Sequence, residues 1–593
     1  MSSTDVIDGN VDAVARRRSA GMEFDLTVQI GPHVLPLITD GKFVSQWSKL
    51  SEQDRKFSLL QEPAFVISWY RQHEALFEPI VCLGYDFSGQ LLGVMALARC
   101  REDGAITHAG DFHAEYCGWV ALSTIDERFV EESLIAIKRT LGLKRWAWKW
   151  LAPGGSVGFL SSSRLAQNGI FATFRTERSP VWNLEDPERL NQLLKTKSIK
   201  NQINRFTKKG GFFLERVRDK ERTRQLLKHL RLQCDFRQEA IQGVRPFADN
   251  PCKEPFFVER QEYPESNHFT VLWSNERPVS FHFGACNRDT LLLGLTAYDP
   301  TESRNSPGKV HLIELARMLR EEGIRRIDLT PGGDQYKEFV ANEWQELVVP
   351  TFYFSRAAKL WADFVEAVRR TTKAALTLAR IGPNAYRRAI TLLRALPARL
   401  RRATLGKLLK RIKRIFYENV VYLQYTTECK PSEAARDLEI FAQRYEDLLL
   451  YDDGNPWLDR RQLLSAALKR FGSGETLYSV SRGGKLLHYG WMAPGGQSHL
   501  LQGVNASFNS PSDSVVLYDF FTHPEYRGQS LYQRNLRQML QDLGAAGVRK
   551  AFIGVLQGNE SSQRAIENVG FSLCRTFRRR RILWFETSEE HAR

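Results

Sequence analysis

Residues 515–571 constrain the fold of this chain more than any other stretch. Residues 515–521 form a nearly unbroken apolar run with Asp519 inside it, the pattern of a strand buried on both faces. A turn-rich loop runs from 523 to 529. Tyr532, Leu536, Met539, Leu540 and Leu543 then recur at helical spacing and line one face of a helix that Gly544 and Gly547 end. Residues 551–556 predict a second buried strand, and 561–568 a second helix stopped by Gly570. Two buried strands joined through a helix make a right-handed β-α-β unit. Its loop suits anions. The N–H groups of residues 527–531 point out of a helix N-terminus beside the Arg527 guanidinium, an arrangement that holds a pyrophosphate.

The junction that closes the first of these helices recurs. Gly547-Val548-Arg549-Lys550 leads into the second strand, and Gly142-Leu143-Lys144-Arg145 and Gly323-Ile324-Arg325-Arg326 stand in the same place after earlier helical patterns. Three related lobes are expected, at 23–190, 191–355 and 417–593. The chain, at 593 residues, is too long for one core in any case. Within the lobes the sequence predicts hairpins about Ser88-Gly89 and Gly483-Gly484, a basic helix at 195–209 and an amphipathic helix at 433–449. It also predicts a closing strand at 577–585 that carries four consecutive arginines, 578–581. Trp146, Trp148 and Trp150 alternate along a strand, as an aromatic face or as a stacking platform for a sugar or base.

Charge is informative through its distribution. The net charge is +16, and residues 356–416 hold seventeen Lys and Arg against two acids, Asp363 and Glu366. Leu405, Leu408, Leu409, Ile412 and Phe416 fall on one helical face there. They describe either a basic amphipathic helix at an anionic membrane surface or a helical hairpin packed on the lobes. Residues 1–22 read as a disordered tail with no signal-peptide core, and no apolar run reaches the length of a transmembrane helix. Eight scattered cysteines without a Cys-x-x-Cys pair read as reduced thiols, and the histidines do not cluster, so a cytoplasmic protein without a metal site is expected.

Thr522, Pro524, Arg527 and Gly528 resemble the strand end and acyl-CoA loop of the GNAT acyltransferase superfamily. Asn559, Ser562 and Gly570-Phe571 are similar to its second motif. The resemblance implies that Phe521, Thr522, Arg527, Gly528, Gln529, Ser530, Leu531 and Ser562 hold acetyl-CoA or another acyl-CoA. It also implies catalytic roles for Asn559 and for Asp519, the carboxylate that often acts on the amine. A buried Asp519 would have the raised pKa such a base needs; the other reading is a strand acid hydrogen-bonded to backbone. Ile566 stands where the family usually carries the Tyr that protonates the leaving thiolate, and Ser530 and Tyr532 occupy the small-residue positions of the loop.

A second resemblance lies upstream. Ser306-Pro307-Gly308-Lys309, Asp328-Leu329, Gly332-Gly333-Asp334 and Tyr336-Lys337 resemble the acetyltransferase-like family often associated with bacterial cellulose and exopolysaccharide synthesis. Glu62-Pro63-Ala64-Phe65, Gly110-Asp111 and Glu115-Tyr116 belong to the same likeness. That family is similar to the FemAB peptidyltransferases, which fuse two GNAT-like lobes. Ser306, Pro307, Gly308, Lys309, Asp328, Tyr336 and Lys337 are thereby the candidates of the second lobe. The expected fold is α/β (α+β): tandem GNAT-like lobes with mixed central sheets flanked by helices, joined by a basic helical segment at 356–416. The expected function is acyl-CoA-dependent acyl transfer to an amine or hydroxyl of a cell-envelope polysaccharide precursor. Aminoacyl-tRNA-dependent transfer of the FemAB kind and a non-catalytic module binding a membrane surface are the alternatives.

Overall fold

A computed structural model describes residues 15–17, 24–54, 59–287, 289–378, 417–431, 435–452, 458–501, 504–582 and 585–592. The chain forms two compact units, one of residues 1–235, 245–299 and 305–373, the other of 236–244, 300–304 and 374–593.

The first unit holds an antiparallel sheet, a mixed sheet and a separate two-stranded parallel pair. In the first, Asp25–Ile30, Phe77–Tyr85 and Leu91–Cys100 run antiparallel, and the hairpin turns where the Asp86 carboxylate accepts from the amides of Ser88 and Gln90. Ala15–Arg17, within the span read as a tail, adds an edge strand to it. Tyr116–Cys117 and Trp150–Leu151 pair in parallel on either side of the helix Asp126–Leu141. In the second sheet, Phe213–Val217, Asn267–Ser274, Arg277–Cys286 and Thr290–Tyr298 run antiparallel. Arg326–Asp328 then pairs in parallel with residues 290–292 across the helix Pro307–Glu321. Phe171–Asn183, within the span read as the first lobe, lies in this second sheet against Glu343–Tyr353, and Arg145–Ala147 joins beside it.

The second unit repeats the order. Thr476–Arg482, Lys485–Pro494 and Ser514–Thr522 are antiparallel, Lys550–Leu556 pairs in parallel with residues 514–517, and Tyr417–Glu428, Ser572–Ile582 and Phe585–Ala592 complete the sheet. The helix Leu531–Ala545 buries Leu536, Met539 and Leu543 as the spacing predicts. After each of the three helices a left-handed glycine, Gly142 (φ 62°), Gly323 (φ 81°) or Gly547 (φ 74°), precedes two bases and a strand, parallel to its neighbour in the last two cases and antiparallel at Arg145–Ala147.

Several expectations change. Among the described residues of 433–449 no α-helix forms; they hold the short strand Phe441–Ala442 and the 3-10 turn Tyr445–Leu450, and a helix lies later, at Arg460–Ser473. Asp447 is the physical reason, because it is drawn into the core to accept the hydroxyls of Ser479 (2.8 Å) and Ser481 (2.7 Å). Trp146 and Trp148 are core residues, each 4% exposed, and Trp150 spends its indole N–H on Glu177, so no stacking platform exists. Arg579 and Arg581 of the closing strand both reach Glu418, at 2.6 and 3.2 Å. The basic helix appears as Lys197–Lys208, its first turn capped by the Thr196 hydroxyl. The stripe at 405–416 lies outside the described residues.

Candidate active site

Two neighbouring strands part in the second unit. Hydrogen bonding between Ser514–Thr522 and Lys550–Leu556 runs from Ser514 and Lys550 to Leu517 and Ile553, and both strands continue past that point unpaired with each other. A bulge accompanies the parting. Tyr489 pairs with Phe521 and Trp491 with Tyr518, so Asp519 and Phe520 together face Gly490, and Asp519 takes φ 50°. The Phe520 ring lies where a Cβ on Gly490 would be, which is why glycine is needed there.

The helix mouth opens beside this wedge. Gly528 (φ 81°) and Ser530 (φ 57°) turn the chain into the helix, and the Ser530 side chain makes no capping bond. Among the described residues no side chain caps the first-turn amides, so the N–H groups of residues 528–531 have no acceptor there beside the exposed Arg527, while Leu531 anchors the turn in the core. Gln529 is exposed with them. Phe521 stacks on Tyr489 at 5.4 Å, and Thr522 Oγ1 is hydrogen-bonded to His488 Nδ1 at 2.9 Å. Burial pulls the His488 pKa down to about 3, which keeps that ring neutral.

Asp519 differs from expectation. Its side chain is 41% exposed and pairs with Arg470 at 2.5 Å, because the bulge rotates it out of the strand's alternation. Burial raises the pKa of Glu475, whose carboxylate accepts the Tyr518 hydroxyl. Asn559 is the cap of the helix Glu560–Glu567, its carbonyl oxygen accepting from the Ser562 amide at 3.3 Å. Sequence reasoning missed two hydroxyls. Tyr532 lies against Phe520 (ring centroids 4.7 Å apart) and His488 (6.0 Å), and the Tyr422 hydroxyl sits against Gly554, the first residue beyond the last pair.

The first unit has the same bulge and a poorer mouth. Phe283 pairs with Leu295 and Ala285 with Leu292, so Leu293 and Gly294 face Gly284. Ser306 enters its helix at φ 52° without a side-chain cap, but Pro307 has no N–H and the Lys309 amide is used on Ser306 O, which leaves Gly308. Lys309 rides over the Phe339 ring at 5.4 Å. Tyr336 packs at the edge of the core. Lys337 is buried, its ammonium donating to Thr330 Oγ1 at 3.0 Å, and Asp328 is buried and receives Tyr116 Oη (2.8 Å) and Gln345 Nε2 (2.6 Å). Both are thus committed to the protein's own contacts, a structural use the sequence does not reveal.

What lies against this bulge is a cavity of about 140 Å³ whose lining includes Gly284, Gly294, His113, Glu115, Lys253 and Arg260. Burial raises the Glu115 pKa and lowers those of Lys253 and His113. Both ring nitrogens of His113 are buried without a hydrogen-bond partner among the described residues. Glu115 belongs to the upstream resemblance; His113 and Lys253 carried no sequence signal, since they meet only in the fold.

A bulged strand parting from a parallel neighbour beside a helix mouth recurs in both units, each an α/β domain. Family models place two such domains in the chain: an acetyltransferase (GNAT) domain over residues 195–338 and the acetyltransferase (GNAT) family over residues 441–571. The protein carries tandem GNAT domains. No curated protein matches the sequence. Among solved structures, FemX is similar at 11% identity and a TM-score of 0.38, covering 54% of this chain and 97% of its own. The L-PGS of Bacillus licheniformis matches at 11% and 0.34, covering 56% and 96%, and a tandem GNAT protein of the clavulanic acid biosynthesis pathway at 11% and 0.32, covering 55% and 98%.

Proposed function

We propose that the protein is an acyl-CoA-dependent acyltransferase whose third lobe carries the reaction, with an amine or hydroxyl of a cell-envelope polysaccharide precursor as acceptor. The observation that carries this reading is the coincidence of parted strands and uncapped amides at 517–531. The site's residues fit acyl-CoA: the amides of 528–531 and Arg527 would hold its pyrophosphate, and strand 514–522 past the bulge offers unpaired backbone to its arm. When bound, the group supplies an activated acyl thioester. Glu475, with its raised pKa, accepts the acceptor's proton, and the Arg470–Asp519 pair fixes the bulge that orients it. The Tyr422 and Tyr532 hydroxyls hold the protons available inside the wedge.

Thermal shift with acetyl-CoA tests the assignment. Stabilisation is expected in the wild type and in Lys309→Glu, and is expected to vanish in Arg527→Glu. Loss in Lys309→Glu with retention in Arg527→Glu would move the cofactor to the second lobe. That outcome is the second reading, favoured by the buried Glu115, Lys253 and His113 around the first unit's cavity. An aminoacyl-tRNA donor would give no shift with acetyl-CoA and a shift with charged tRNA.

A further inference from the structure

We propose that the helix Arg356–Leu378 lies in the plane of an anionic phospholipid surface with one face in the lipid. Leu360, Trp361, Phe364, Val365 and Val368 share an arc of roughly 140° on this helix. All five are exposed, Leu360, Trp361 and Phe364 at 69%, 67% and 59%, and the Trp361 and Phe364 rings stand 5.7 Å apart. Arg356, Lys359 and Arg370 fall on the opposite arc. The helix's two acids lie there too, each held by a base one turn away: Asp363 by Lys359 at 2.6 Å and Glu366 by Arg370 at 3.3 Å. Single apolar residues on a surface need no partner, whereas a contiguous face led by Trp, Phe and Leu does.

Charge selects the partner. The seventeen bases and two acids of residues 356–416 account for all but one of the chain's net +16. A second copy would bring the same positive charge against the face and be repelled. A nucleic acid would meet the bases and leave Leu360, Val365 and Val368 in water. An anionic bilayer meets both needs, since the apolar side chains enter the acyl boundary while the bases face the headgroups. No described helix is long and apolar enough to cross a membrane, so the contact is one-sided.

Co-sedimentation of the full-length protein with phosphatidylcholine vesicles, with and without phosphatidylglycerol, tests this. Binding is expected only to the phosphatidylglycerol vesicles. Trp361→Glu/Phe364→Glu should weaken it by about tenfold or more, and Trp361→Leu/Phe364→Leu should preserve it, with unchanged thermal melting in both. Three results would overturn the proposal: no vesicle binding by the wild type, equal binding by the Glu variant, or a Glu variant that melts earlier than wild type, which would mean the face is covered by protein. Vesicle binding absent while tRNA is retained would hand the helix to nucleic acid.

Discussion

Replacing Tyr422 and Tyr532 together by Phe is expected to lower kcat for thiol release from acetyl-CoA, with glucosamine as test amine, by about 10²- to 10³-fold. The acetyl-CoA thermal shift should be retained. The position where the family usually places an acid is Ile566, which is fully buried and has no proton to give. Tyr422 Oη instead lies against Gly554 where the strands part, and the Tyr532 ring packs on Phe520 of the facing strand. Burial raises both phenol pKa values, that of Tyr422 to about 12, so each hydroxyl is a proton donor at neutral pH. A loss of that size corresponds to about 3–4 kcal/mol of barrier, the range of a general acid. Each single variant then identifies its share, and the larger loss marks the closer donor. A double variant with kcat within about twofold of wild type would remove both tyrosines from the chemistry.

The sequence carried the order of elements far better than the chemistry of the site. The crossovers were legible because each ends in a local signal, glycine then two bases, and because Leu536, Met539 and Leu543 repeat at helical spacing. The loop at 527–531 was legible for the same reason, being contiguous. Asp519 was misplaced because alternation cannot show a bulge: one extra residue opposite Gly490 turned a presumed inward acid outward to Arg470. The helix at 433–449 failed because its stripe is also the stripe of a buried 3-10 turn around Asp447. Tyr422, more than a hundred residues before the loop, and the His113, Glu115 and Lys253 group come together only through long-range pairing.

Ionisation of one carboxylate, Glu62, should cost the first unit about 3 kcal/mol of stability as pH rises from about 4.5 to 7. Glu62 sits ahead of the helix Pro63–His73 without making a capping bond, and burial pushes its pKa up from 4.5 to about 7, with Arg260 opposing the rise. The folded chain therefore binds this proton more tightly than the unfolded chain does. Between the two values the folded state keeps this proton and the unfolded state does not, so the contribution of Glu62 declines with pH; above 7 both states are ionised and the full cost of the buried charge remains. Arg260 answers only part of it. Its Nε and Nη2 are spent on Asn267 (2.9 Å) and Ser266 (3.2 Å), and burial draws its own pKa down to about 10. Glu62→Gln removes the titration, so the stability difference between variant and wild type, from urea unfolding of the full-length protein followed through the first unit, should shift by about 3 kcal/mol in the variant's favour between pH 4.5 and 8. A difference independent of pH would show that Glu62 is as well solvated in the folded state as in the unfolded one.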